Sequence, residues 1–135
     1  MKSSACGLTV LRIVVGIVFL AHGGQKLFTF GFGGVAGYLA HVGIPFPALF
    51  AVVVTLAEFL GGAALVLGVA TRWAALALSV DMLVALLTVK LKGGFFAPDG
   101  MECELTLLAA CVCLAFTGPG ALSVEKMFAR RSLIG

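Results

Sequence analysis

The sequence predicts an all-α membrane protein, a bundle of four transmembrane helices with a short interfacial or re-entrant segment between the first and second. Three observations carry that prediction. Hydrophobic side chains make up 61% of the chain and charged ones 11%, with a mean hydropathy of +1.19. Soluble chains of this size carry about 25% charged residues, because their surface must be wetted. The 135 residues hold four spans at roughly 20 residues each, and are too few for two globular domains. The apolar runs, finally, are interrupted by single charges rather than by polar stretches. Disorder is excluded, since its signature is low hydrophobicity. Residues 1–135 are expected to form one membrane domain with no soluble part.

Span one is expected over residues 8–28, a run interrupted by Arg12, His22 and Lys26 that is long enough to cross the hydrocarbon core. A cleaved signal peptide is the rival, but the run is long for its apolar core and no A-x-A site follows. Phe30 to Phe46 is rich in glycine and aromatics, too apolar for an aqueous loop. Within it Val35, Ala36, Tyr38, Leu39 and Val42 suit a short helix in the membrane surface, stopped by Gly43, with Tyr38 at headgroup level. Pro45 and Pro47 mark the next helix start, because the first turn does not need the missing N–H. Span two is expected over 47–70 with Glu58 near its middle, and Gly61, Gly62 and Gly68 predict close packing in its second half. Thr71-Arg72 makes a tight connection to span three, 73–91, which holds one interior acid, Asp81. A turn-rich loop over Gly93–Gly100 leads to span four, 101–117, with Glu102 and Glu104 in its first turn and Gly118-Pro119-Gly120 at its end. A polar, basic tail, 121–135, completes the chain.

The net charge of +3 is small and the basic residues are scattered, so no nucleic-acid-binding face is visible. Cys6, Cys103, Cys111 and Cys113 lack metal-site spacing, so no metal site is expected. Cys103 is the one thiol near the oxidising side. With only His22 and His41, bis-imidazole haem ligation is poorly supported, and there is neither a Rossmann glycine turn nor an iron–sulfur motif. No intrinsic cofactor is expected.

The ionisable residues inside the spans carry the chemistry. An ionised carboxylate at mid-bilayer costs at least ~2.5–3.5 kcal/mol, so Glu58 and Asp81 should face the bundle interior, pair with a cation or hold a proton. His22 and Lys26 are four residues apart, hence on one helix face, and lie at the same outer depth as Glu102 and Glu104. His22, Lys26, Glu58, Asp81, Glu102 and Glu104 are therefore expected around one polar cavity in the outer half of the bundle. Arg12 and Arg72 are expected in structural ion pairs, Arg12 reaching Asp81 or Glu58 from the inner side. The plainer alternative is that such charges lock helices in register.

Several motifs resemble the DoxX family. They are Leu11-Arg12, Gly16 and the run Phe19-Leu20-Ala21-His22-Gly23-Gly24-Gln25-Lys26-Leu27-Phe28, then Gly43-Ile44-Pro45-Phe46-Pro47 and Ala57-Glu58-Phe59-Leu60-Gly61-Gly62. Leu67-Gly68-Val69-Ala70-Thr71-Arg72, Gly94-Phe95-Phe96 and Thr117-Gly118-Pro119-Gly120-Ala121-Leu122-Ser123 continue in the same order. The resemblance implies a four-helix protein of the prokaryotic cytoplasmic membrane, related to a small subunit associated with quinone-linked thiosulfate oxidation and terminal oxidase complexes. It also implies links to membrane oxidoreductase assemblies and to thiol or oxidative-stress defence. His22, Lys26, Glu58, Arg72 and Glu104 match the family's recurring polar residues, whereas Glu102 and Cys103 depart from it, so both acids stand as candidates.

Two functions follow as expectations. In the first the chain is a quinone-reactive subunit, with His22 and Lys26 donating to the quinone carbonyls and Glu58 delivering protons, while a redox partner protein supplies the electrons. In the second it is a non-enzymatic membrane module that binds a partner protein, a lipid or a small solute. The bilayer is its solvent in both, and a second copy of the chain is a further candidate partner. Six basic residues (Lys2, Arg12, Arg72, Lys126, Arg130, Arg131) fall on one side of the spans and three (Lys26, Lys90, Lys92) on the other, which places both termini in the cytoplasm. A reporter fused after Gly135 should accordingly be active only if it works in the cytoplasm, and an active periplasmic reporter would reverse the orientation.

Overall fold

The computed structural model describes residues 2–90 and 102–134. The expected Gly93–Gly100 loop, Lys92 and the Gly94-Phe95-Phe96 motif lie outside the described residues. Among the described residues the protein is all-helical, with α1 Lys2–Gly24, α2 Gly31–His41, α3 Pro47–Leu67, α4 Thr71–Ala85, α5 Glu102–Thr117 and α6 Val124–Ile134. Two π-helical segments are inserted, Gln25–Phe30 between α1 and α2 and Leu86–Lys90 after α4. Three helical runs are long and apolar enough to cross a membrane: Ser3–His41, Pro47–Leu67 and Thr71–Thr88.

The first of these runs has 39 residues, about 58 Å if straight, nearly twice the ~30 Å hydrocarbon thickness. It is not straight, because Gly31 at the end of the π-helical segment has φ +69 and ψ 169 and interrupts the helical geometry. Beyond that break α2 packs on the start of α3, where Val35 and Leu39 bury against Ala51 with Ile44 alongside. The expected helix between spans one and two is thus present and four residues longer at its start than Val35. The segment expected as a basic tail also holds a helix, α6.

The main core joins the four long helices through Val15 and Phe19 of α1, Leu65 of α3, Ala75, Leu78 and Met82 of α4, and Cys111 and Leu114 of α5. Glycines set the spacing. A Cβ on Gly62 would strike the Leu20 backbone, and one on Gly16 would come within 2.8 Å of the Val66 nitrogen, so α1 and α3 meet backbone to backbone. Gly61, one residue earlier, gives the other side of α3 to Leu78 of α4, which a Cβ would approach to 3.1 Å. The opposite faces expose Val10, Val14, Ile17, Leu60, Trp73, Leu76, Val80 and Phe116. So much exposed apolar surface is at home in lipid rather than in water.

The end of the bundle that holds the C-terminal segment is tied by hydrogen bonds. Thr9 Oγ donates to the Ala5 carbonyl (3.0 Å) and accepts from the N–H groups of Ala121 (2.8 Å) and Leu122 (3.3 Å). Arg12 is 2% exposed and donates through Nη2 to the Leu122 carbonyl at 2.6 Å. Its Nη1 lies over Gly68, a position that no side chain could share and whose φ of +75 ends α3. The Glu125 N–H donates to the Gly68 carbonyl (3.1 Å), the Glu125 carboxylate accepts from the Thr71 N–H (3.2 Å), and Ser123 caps α6 by accepting from the Lys126 N–H (3.2 Å). The start of α1, the α3–α4 connection and the C-terminal segment therefore close on one another. Replacing Thr9 with the isosteric valine leaves the Leu122 N–H without an acceptor, while the Ala121 N–H keeps the Ala5 carbonyl at 3.1 Å, and thermal unfolding in detergent should show a loss of about 1 kcal/mol or more. An unchanged melting temperature would mean that this closure adds no stability.

Candidate functional site

A cavity of about 300 Å³ opens near the α2 end of the bundle, walled by five α-helices and both π-helical segments. Phe19 and His22 come from α1, Lys26 from the first π-helical segment, Val35, Tyr38 and Leu39 from α2, and Glu58 from α3. Asp81, Met82 and Ala85 of α4, Thr88 of the second π-helical segment, and Cys103, Glu104 and Leu107 of α5 complete it. Both π-helical segments border this cavity. Such segments are rare inside helices and concentrate where a side chain must be re-aimed at a functional site.

At its centre Lys26 Nζ and Glu58 Oε2 form an ion pair at 2.5 Å. Glu58 is 3% exposed, a burial that a carboxylate tolerates only with a partner. The Asp81 carboxyl lies against that of Glu58, within reach of both hydrogen bonding and charge, and also feels Lys26. Its Oδ2 is buried without a hydrogen-bond partner. A hydrogen bond between two carboxyl groups exists only while one of them carries a proton, and in that state the Lys26–Glu58–Asp81 triad is neutral.

His22 is exposed at the cavity margin, and its Nδ1 donates to the Val18 carbonyl at 2.8 Å. That bond fixes the tautomer, so the neutral ring offers only an acceptor at Nε2 and becomes a second donor only as imidazolium. The donor role expected of His22 would therefore fall to Nε2–H of the imidazolium. Tyr38, expected at headgroup level, is half exposed and also lines the cavity. The Thr88 hydroxyl, overlooked in the sequence, is spent on the Val84 carbonyl at 2.6 Å. No sequence signal marks either residue, since both reach the cavity through the folding of α2 and the π-helical turn.

Glu104 and Cys103 line the cavity, and Glu102 is not among the lining residues. Contrary to the expectation from sequence, Arg12 does not reach Glu58 or Asp81. It hydrogen-bonds the chain at Leu122, and its electrostatic partner is Glu125. The expectation fails because the C-terminal segment, a polar, basic tail by sequence, folds back and supplies those partners. Arg72 is exposed near Gly118 and makes no ion pair among the described residues. All four cysteines are free, and among the described residues no group of three or more His, Cys, Asp or Glu could hold a metal ion.

Comparison with known proteins adds the relationship. The DoxX family profile matches residues 7–91. This chain belongs to the DoxX family. It is 33% identical over 125 residues to a putative oxidoreductase, CatD, of Bacillus subtilis, covering 92% of this chain and 88% of that one. It is 37% identical over 128 residues to an uncharacterized protein of Haemophilus influenzae, covering 92% of each. It is also 32% identical over 135 residues to the inner membrane protein YqjF of Escherichia coli, covering 96% of this chain and 98% of that one. No solved structure matches.

In this DoxX protein the ion pair gives a direct test of the burial argument. Lys26→Met strands Glu58 and should cost about 3 kcal/mol, because the loss is chiefly that of an uncompensated buried carboxylate. Lys26→Met combined with Glu58→Gln should recover most of it in a double-mutant cycle of melting temperatures. A double variant no more stable than Lys26→Met would show that the pairing is incidental.

Proposed function

We propose that this DoxX protein is the integral membrane subunit of a redox assembly in the bacterial inner membrane, and that its cavity holds a quinone or an amphipathic ligand of that shape. On this reading α5 is a fourth span and both termini are cytoplasmic. α5 has 16 residues, about 24 Å, and buries Cys111 and Leu114 in the same core as the three longer runs. The names of two relatives, a putative oxidoreductase and an inner membrane protein, point the same way.

The observation that carries the proposal is the Lys26–Glu58–Asp81 triad at the heart of a cavity whose surface is mostly apolar. A quinone site needs apolar walls, donors for two carbonyl oxygens and a source of protons. Phe19, Val35, Leu39, Met82 and Leu107 supply the walls, and the volume of about 300 Å³ sits at the lower limit of small-molecule sites, suited to a single ring whose tail leaves toward lipid. The Lys26 ammonium keeps two hydrogens beyond the one used on Glu58, and the Tyr38 hydroxyl is a second donor. A quinone, when bound, supplies a two-electron, two-proton couple. The chain's own residues hold it, exclude bulk water and keep a proton at the carboxyl pair.

Asp81, more than Glu58, is then the group that hands over the proton, since Glu58 is committed to Lys26 while Asp81 Oδ2 has no partner. Asp81→Asn should lower quinone-dependent turnover of the assembly by about 10²-fold, the scale of a lost general acid, with expression unchanged. Organic extracts of the purified protein should show a quinone absorbance that is bleached by borohydride. An extract without quinone, together with full turnover by a folded Asp81→Asn protein, would sink the proposal and leave a non-enzymatic binding module.

A further inference from the structure

A second concavity lies on the outside of the bundle, at the end where the C-terminal segment is tied down. It has a volume of about 520 Å³ and runs between α4 and α5, lined by Arg72, Trp73, Leu76 and Ser79 on one side and Val112, Ala115 and Phe116 on the other. We infer that this groove is a binding site for one anionic phospholipid of the surrounding bilayer, its phosphate on Arg72 and an acyl chain along Leu76, Val112 and Phe116.

The groove is apolar apart from one end. Ser79 spends its hydroxyl on the Ala75 carbonyl at 2.7 Å, which leaves the Arg72 guanidinium as the sole charged group among the lining residues. Trp73 is 75% and Phe116 is 79% exposed, an aromatic pair that presents broad apolar faces to whatever lies outside. Arg72 occupies the second position of α4, beside the turn at Gly118, where a Cβ would come within 3.2 Å of its Nε. A cation at the end of a span with an apolar trough leading away from it is the complement of a lipid phosphate and its chain.

The charge around Arg72 sharpens the choice of lipid. Glu125, the acid that α6 brings to the α3–α4 connection, accepts from the Thr71 N–H and acts on the charge of Arg12. α6 begins beside the α3–α4 connection through the Glu125–Gly68 bond and brings the exposed Lys126, Arg130 and Arg131 to the same end. This end of the molecule thus favours a headgroup with net negative charge over a zwitterionic one. The inference is independent of the cavity around Glu58.

Native mass spectrometry of the delipidated, full-length protein with phosphatidylglycerol, phosphatidylcholine and inorganic phosphate tests it. One phosphatidylglycerol should be retained with about fivefold preference over phosphatidylcholine, the effect of one basic residue near the surface, and inorganic phosphate should not compete. Arg72→Gln should abolish the preference. Val112→Trp, which fills the trough and spares the cation, should abolish retention itself. The triple variant Lys126→Gln/Arg130→Gln/Arg131→Gln should keep retention and weaken the preference only in part. Equal retention of the two lipids, displacement by inorganic phosphate, or a preference lost in the triple variant but kept in Arg72→Gln would each overturn the site.

Discussion

A carboxylate in hydrocarbon costs at least ~2.5–3.5 kcal/mol unless something neutralises it, and this chain carries one near the middle of each of two consecutive spans, Glu58 and Asp81. That single cost organises half of the molecule. Glu58 is shielded from lipid where α1 runs close to α3, and α1 can run so close because Gly16, Gly23 and Gly62 leave no side chains between the two backbones, Gly23 lying directly against the Glu58–Phe59 backbone. The same proximity brings Lys26, one turn beyond His22, into contact with Glu58. α4 then has one arrangement in which Asp81 avoids lipid, against the same pair. The cavity is what remains when three helices turn their polar residues toward a common centre and α2 covers the side they leave open.

The opposite end solves a different problem. There the difficulty is unpaired backbone, since the ends of α3, α4 and α5 present N–H and C=O groups that must find partners. The C-terminal segment supplies them: Leu122 gives a carbonyl to Arg12, Glu125 gives a carboxylate to Thr71 and an N–H to Gly68, and Thr9 accepts from two consecutive amides. Arg12 is sequestered in this closure, so the cation nearest the buried acids in the first half of α1 is unavailable to them. Lys26 is left as the cation of the cavity. The two ends are therefore coupled through the assignment of charges, although they share no side chain.

How much of this was legible in the sequence follows from the range of the forces involved. Three apolar runs were legible because hydropathy is a local property, and α3 starts at Pro47 where the proline signal put it. The convergence of His22, Lys26, Glu58, Asp81 and Glu104 on one cavity followed from depth and helical phase, which are also local. What depended on long-range partners was not legible. Arg12 was assigned to the acids because the acids are visible in a linear reading, whereas the Leu122 carbonyl, 110 residues away, is a backbone group with no sequence signature. The π-helical turns were equally hidden, since one extra residue per turn leaves no mark on composition. The hydrogen-bond state of His22 was hidden too, because its Nδ1 bonds the carbonyl of Val18 one turn before it.

Those hidden features decide what the cavity can do. With Nδ1–H of His22 committed, the neutral imidazole is an acceptor, so the donor-bearing side chains that do not depend on that ring's charge are Lys26 and Tyr38, which line the cavity from opposite sides of the break at Gly31. Lys26 stands on the π-helical segment and Tyr38 on α2, and the bond geometry at Gly31 sets the distance between them. A ligand that engages both would hold α2 against α3 as well as fill the cavity, whereas a ligand with one acceptor would leave α2 resting on Val35 and Leu39 alone. On the proposed function, a molecule with two acceptors on opposite edges of one flat ring is the one that could engage both donors at once. That two-point match, and not volume alone, is the physical reason for proposing a quinone here rather than a single-acceptor solute of equal size.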